Sequence, residues 1–324
     1  MFLLEYQRHI LQMAKGGLYV AVIRFGRIIK KRREDLGLTQ EDLADGICSV
    51  PTLSRIENGE RIPTKNIYER LLQRLGYSGN NFDIYTDEKD FRIHELQFNI
   101  RQAYIEGNIE AARKYLAAYS LENTEDSNIN RQFHVLYSTL LYQKDYPIQT
   151  QLERFEEAIR LTSPRYDQHK IPHILSYEEI NLINNIAFCH AVLGNRAWGI
   201  ELLLQLKDYY HRHIVNPEEA LRTQPMVLYN LSKMLGLEGR YDECVEICDL
   251  GIKLAKTTGR ASLLSRTLYN KAWALIKRNE LGDFNQAKLI ARQALYMATI
   301  MGQKESLACC QRLYKDTYGE DISL

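Results

Sequence analysis

Asn185, Asn230 and Asn270 each stand two residues before a small side chain, Ala187, Ser232 and Ala272, so one carboxamide recurs at the same position of three successive segments. A carboxamide accepts from a backbone N–H and donates to a backbone C=O, and a row of them can clamp an extended peptide whatever its side chains. Asn184, Tyr229 and Tyr269 lie beside the row, with Tyr177 near it, and are candidates for shaping side-chain pockets. The competing use of such amides is to bond a neighbouring helix or water. A second group sits near the N-terminus, where Ser49, Val50, Pro51, Thr52, Ser54 and Arg55 open a short helical segment flanked by Gln40 and Arg61. Thr52, Ser54 and Arg55 offer hydrogen bonds to base edges, while Val50 and Pro51 offer only apolar contact, for instance to a thymine methyl. Gln40, Arg61 and the basic run at 30–33 suit phosphate oxygens, although that run can equally be a solvated helix face.

Other chemistry is weakly signalled. Cys244 and Cys248 are four apart on one helical segment, at positions where small residues pack, so core packing outweighs metal or redox use. Cys309 and Cys310 are a lone vicinal pair. His169 with His173, and His211 with His213, have neither Cys nor clustered carboxylates beside them. No phosphate-cradling glycine loop, nucleophile elbow or H-E-x-x-H is present. No catalytic residue, metal or cofactor is expected.

The base-reading group needs two short helices and a tight turn, and the stretch from Gly37 to Gly59, GLTQEDLADGICSVPTLSRIENG, supplies them. Thr39 is a good N-cap with Asp42 at N3, Gly46 breaks the first helix, and Ser49 caps the second with Pro51 in its first turn. Asn58 and Gly59 end it as a left-handed cap. Phe25, Ile28, Ile29 and Leu36 before the motif, and Ile67, Leu71, Leu72 and Leu75 after it, recur at helical spacing and complete a core. Residues 24–76 resemble the DNA-binding domain of Xre/Cro-type helix-turn-helix regulators, including the L-T-Q-x-x-L-A and L-S-R-I-E-N-G segments and the following Pro63. One such domain makes few phosphate contacts, so a homodimer is expected, with recognition helices about 34 Å apart on a near-palindromic operator in double-stranded DNA.

Charge agrees with a DNA-facing head. The chain of 324 residues has a net charge of only +1, yet residues 24–76 hold eleven Lys and Arg against eight Asp and Glu, leaving 29 basic and 32 acidic in 77–324. Six cysteines without a secretory signal point to a reducing, cytoplasmic setting, and no apolar run reaches the roughly 18 residues of a membrane span. Residues 1–23 are read as an N-terminal extension. The Gly-, Asn- and Asp-rich 77–90 is read as a linker.

From 91 to 324 strand signals are nearly absent, and the prolines at 147, 164, 172, 217 and 225 are expected between helices. Five candidate helix pairs follow, 92–119, 132–162, 177–206, 225–256 and 262–301, with 306–318 closing the stack. Small residues at fixed offsets, clearest in Ser232, Gly239, Cys244, Cys248 and Gly251, suit a tetratricopeptide repeat, giving an all-α fold with a superhelical, ligand-binding and dimerising body. With the head, the pattern resembles the cytoplasmic peptide-pheromone receptors of Gram-positive bacteria, the RNPP and Rgg group. That resemblance implies a quorum-sensing transcriptional regulator in which Asn185, Asn230 and Asn270 grip the backbone of a short signalling peptide. The alternative is a repeat module that sequesters a protein partner, with an auxiliary helix-turn-helix head.

Overall fold

The computed structural model describes residues 26–77, 88–123, 127–167, 169–212 and 217–320, apart from the side chains of 217–220 and 222. The expected extension 1–23 and most of the expected linker 77–90 lie outside these residues. The described chain is helical throughout its regular elements: α1 (26–35), α2 (Gln40–Ala44), α3 (Val50–Glu57), α4 (Lys65–Arg74), α5 (Glu88–Ile105), α6 (Ile109–Glu122), α7 (Asn128–Leu141) and α8 (Ile148–Thr162). There follow α9 (Tyr177–Val192), α10 (Arg196–Arg212), α11 (Pro217–Leu237), α12 (Tyr241–Thr258), α13 (Leu264–Arg278), α14 (Asp283–Ile300) and α15 (Lys304–Tyr318). The fold is all-α, a helix-turn-helix domain followed by helical repeats.

Two compact units divide these helices. The first takes in what is described up to Asp167 together with Pro172–Leu182; the second begins at Ile183 and includes residues 169–171.

In the first unit, local signals set the helix-turn-helix. Thr39 Oγ1 accepts from the Asp42 N–H while the Asp42 carboxylate accepts from the Thr39 N–H, closing the capping box that starts α2. Ser49 Oγ accepts from the Thr52 N–H and starts α3. Ile29, Leu43, Leu53, Ile56, Leu71 and Leu75 are fully withdrawn from solvent into one core, each burial stabilising by roughly 1.5–3 kcal/mol. Ile28, expected to face inward, is 47% exposed, because Gly26, Ile29 and Arg33 occupy the inward phase of α1 and Ile28 is rotated off it. Gly46 turns at φ +71, and a Cβ there would stand 2.0 Å from the Thr162 carbonyl oxygen at the end of α8. Only glycine meets both demands.

The expected helix pairs coincide with α5/α6, α7/α8, α9/α10, α11/α12 and α13/α14, with α15 last. Close approach within a pair depends on small residues: a Cβ on Gly199 of α10 would lie 2.5 Å from the Ala187 carbonyl oxygen of α9. In the second unit Ala272, Ala287, Ala291 and Ala294 pack with Leu275, Leu295, Cys310 and Tyr314. Pro225, expected between helices, lies inside α11. The helix starts two turns earlier because Pro217 takes the N-terminal position where its missing N–H costs nothing, and helix-forming residues follow it. The long turn before α14 is closed by Arg278, which donates to both oxygens of Asp283 at 2.7 and 2.8 Å.

Candidate functional site

The residues read as base contacts gather at the start of α3. Ser49, Pro51 and Arg55 are exposed, Thr52 and Ser54 half-exposed, and Val50 rests partly on the core. Leu53, Ile56 and Glu57 point inward, so the opposite face of α3 presents Pro51, Ser54 and Arg55 outward. Thr52 is held: its hydroxyl lies 2.9 Å from Ser49 Oγ and accepts from Arg61 Nη1 at 3.4 Å.

Two residues from the expected phosphate set have interior work. Gln40 Nε2 donates to Glu57 Oε2 at 2.8 Å. Arg33, part of the basic run, is buried and forks onto the same carboxylate at 2.7 and 3.0 Å while donating to the Leu38 carbonyl at 2.9 Å. That hydrogen-bonded carboxylate raises the Arg33 guanidinium above its usual range. Glu57 thus ties α1, the start of α2 and the end of α3 into one rigid block. Arg32 is also engaged, donating to the Leu75 carbonyl at 3.2 Å, which leaves Lys30 and Lys31 as the exposed part of the run.

A second polar cluster of this unit, against α4, is not among the expected sites. Arg70 meets Glu178 at 2.5 Å, and Arg101 reaches the same carboxylate at 2.6 Å. Arg74 bridges Glu179 at 2.9 Å, the Thr162 carbonyl at 2.7 Å and the Asp45 carbonyl at 2.7 Å. Glu179 also accepts from the Ser176 N–H, Thr162 Oγ1 and Ser163 Oγ, each at 2.7 Å. Burial alone would push its carboxyl up; Arg74 and these donors more than offset that and hold it at about 2. The local signal that was available is Ser176-x-x-Glu179, a capping box before α9.

In the second unit the carboxamides cross-link neighbouring helices. Asn230 Nδ2 of α11 donates to Asn184 Oδ1 of α9 at 2.9 Å. Asn270 Nδ2 of α13 donates to Ser232 Oγ at 3.0 Å and toward the Tyr229 carbonyl at 3.4 Å, while Ser232 Oγ donates to that carbonyl at 2.8 Å. Asn184 and Asn270 are buried; Asn185, Tyr229, Asn230 and Tyr269 are partly accessible. Asn184, adjacent in sequence to the row, is the residue bonded to Asn230. An asparagine has two N–H donors and an acceptor oxygen with two lone pairs, so one bond to a neighbour leaves capacity for a ligand. Cys244 and Cys248 are buried among packed side chains of α12. Among the described residues no three His, Cys, Asp or Glu come together as a metal site, and no described helix is long and apolar enough to cross a membrane.

The helix-turn-helix family model HTH_3 matches residues 29–80. A search of curated protein sequences found no match. Among solved structures, Bacillus thuringiensis PlcR in complex with the peptide PapR7 and DNA is similar at 19% identity, covering 92% of this chain and 100% of that one, with a TM-score of 0.57. PlcR in its apo form is similar at 18% identity, over 89% of this chain and 98% of that one, with a TM-score of 0.56. The competence regulator ComR from Streptococcus vestibularis, in complex with its cognate signaling peptide XIP, is similar at 14% identity, over 91% and 99%, with a TM-score of 0.51. Residues 29–80 are therefore an HTH_3 helix-turn-helix domain, carried on a chain that has the fold of PlcR and ComR.

Proposed function

We propose that this chain is a DNA-binding transcriptional regulator that senses a short signalling peptide and acts as a homodimer on a near-palindromic operator. The observation that carries the reading is the coexistence in one chain of an outward-facing α3, with Pro51 and Arg55 exposed and Ser54 half-exposed, and a ladder of carboxamides joining α9, α11 and α13. Base readout falls to Thr52, Ser54 and Arg55, apolar contact to Val50 and Pro51, with Ser49 capping the helix, and backbone contacts to Arg61 and the accessible part of Gln40. Asn185, Asn230 and Asn270 grip the peptide backbone, and Asn184, Tyr229 and Tyr269 border its side chains. The fold shared with PlcR, solved with the peptide PapR7 and DNA, and with ComR, solved with its cognate signaling peptide XIP, supports the same assignment. The peptide can shift DNA affinity by no more than its own difference in affinity for the two states.

An electrophoretic shift on the DNA flanking the protein's own gene tests this. A specific complex is expected at about 0.1 M ionic strength. Arg55→Ala removes it and leaves peptide capture unchanged, whereas Asn230→Ala weakens peptide binding by about 1–3 kcal/mol and leaves the fold intact. A protein that only sequesters a partner gives no specific complex, and that result overturns the reading.

A further inference from the structure

Helix α5 is apolar on two sides. Ile93, Leu96, Ile100 and Ala103 are buried within the first unit, while Phe91, Phe98 and Ile105 recur every seven residues on the other side, 38%, 57% and 67% exposed. Solitary exposed apolar residues are ordinary, but three on one helical stripe form a patch of the kind that another element covers. Glu88, Glu95 and Gln102 alternate with them. The stripe therefore runs Glu88, Phe91, Glu95, Phe98, Gln102, Ile105 in steps of three and four, the spacing of a coiled-coil seam.

This stripe is also acidic. Glu88 and Glu95 are exposed and form no ion pair among the described residues. The basic side chains of α5 are placed elsewhere: Lys89 is off the stripe and half-buried, Arg92 meets Glu122 of α6 at 2.7 Å, His94 meets Glu69 at 3.0 Å, and Arg101 meets Glu178 at 2.6 Å.

A cover for the stripe must carry apolar side chains and cations in matching alternation, and the chain's own sequence holds such a segment ahead of the described residues. Leu4, Arg8, Leu11 and Lys15 follow in steps of four, three and four, which share one face on a helical period, and Gly16 with Gly17 is a stop signal directly after them. Set antiparallel to α5, the four fall into a single register: Leu4 against Phe98, Arg8 against Glu95, Leu11 against Phe91 and Lys15 against Glu88. A parallel arrangement would need Leu18 opposite Phe98 and would carry both glycines inside the paired segment, where they weaken a helix.

The segment is also tethered within reach. Gly26, at the start of α1, lies so close to the end of α3 that a Cβ there would stand 2.1 Å from the Ile56 carbonyl oxygen. The ten residues between Lys15 and Gly26 span at most roughly 35 Å, about the diameter of a small domain.

We propose that the exposed stripe of α5 is the docking site of the chain's own residues 4–15, with Leu4 and Leu11 on Phe98 and Phe91, and Arg8 and Lys15 on Glu95 and Glu88. Docking joins the segment that leads into the helix-turn-helix to the first helix of the repeats. It does not depend on the peptide-binding reading above.

Hydrogen–deuterium exchange of the purified full-length protein, followed on the peptic fragment carrying residues 1–15, tests the proposal. Exchange is expected to be at least about tenfold slower than in a synthetic peptide of residues 1–18. Glu88→Lys with Glu95→Lys brings it close to the free-peptide rate, and adding Arg8→Glu with Lys15→Glu slows it again. Phe98→Asp releases the segment as well, while far-ultraviolet circular dichroism shows each variant folded. Exchange at the free-peptide rate in the unaltered chain overturns the proposal, as does slow exchange that none of the substitutions alters. Protection that disappears on about hundredfold dilution assigns the stripe to a second copy of the chain and overturns docking within one chain.

Discussion

Glu57 at the end of α3 and Glu179 in the first turn of α9 are each a carboxylate inside a core and answered by an arginine, yet they have different duties. Glu57 fixes the geometry of α3 through Arg33 and Gln40, so the outward set Pro51, Ser54 and Arg55 is presented on a rigid support. Glu179 holds Arg74, whose other bonds reach the Asp45 and Thr162 carbonyls on either side of the Gly46 turn. Its folded value near 2 lies below the ordinary value of 4.5, so its stabilisation is complete above that ordinary value and is lost as pH falls toward 2. Urea unfolding of the wild type and Glu179→Gln across pH 5 to 2 measures this directly. The gap in stability between the two should shrink by about 3 kcal/mol over that window, and a pH-independent gap would contradict the assignment.

Among the elements, the turns on either side of α2 offer the sharpest contrast between two glycines. Gly37 has φ +67 with open space around its Cβ position, whereas Gly46 has φ +71 with the Thr162 carbonyl 2.0 Å away. Gly37→Ala should cost about 1 kcal/mol, and Gly46→Ala at least about 2 kcal/mol because the α8 end must also move. Denaturant midpoints of the two variants check the difference; equal losses would remove the close approach. The helix caps were legible because their signals are local: Thr39 with Asp42, and Ser49 with Thr52, need only a few residues of sequence. The five repeat pairs were legible because small residues such as Ala187 and Gly199 sit wherever backbones touch. Arg70 and Arg74 with Glu178 and Glu179 were not, since the partners are more than a hundred residues apart and a charged residue on paper reads as solvent-facing. The interior use of Arg33, only 24 positions from Glu57, escaped because a charged residue in a basic run reads as solvent-facing. The ladder was half legible: the recurrence of Asn230 and Asn270 is periodic, but whether such an amide turns to a ligand or to Ser232 is decided by packing geometry that no spacing encodes.

For the whole molecule, two-fold operator reading requires two chains. Sedimentation velocity should find a species of twice the monomer mass bound to a duplex carrying two half-sites about 34 Å apart, and a duplex with one half-site inverted out of phase should lose that species. A strictly monomeric complex would restrict the chain to one half-site. The charge layout fits two-chain reading, since the surplus of basic residues lies in 24–76 and the remainder of the chain is mildly acidic. Contact with the duplex is thus concentrated on the heads.

Arg70 and Arg74 are buried against carboxylates that arrive only with the first turn of α9. Cutting the chain after α4 would leave both guanidinium groups without their counter-charges, a loss that costs several kcal/mol per pair. The head is consequently a poor candidate for grafting onto a foreign sensor, and chimeras or reporter fusions that preserve it must carry the polypeptide through at least Leu182.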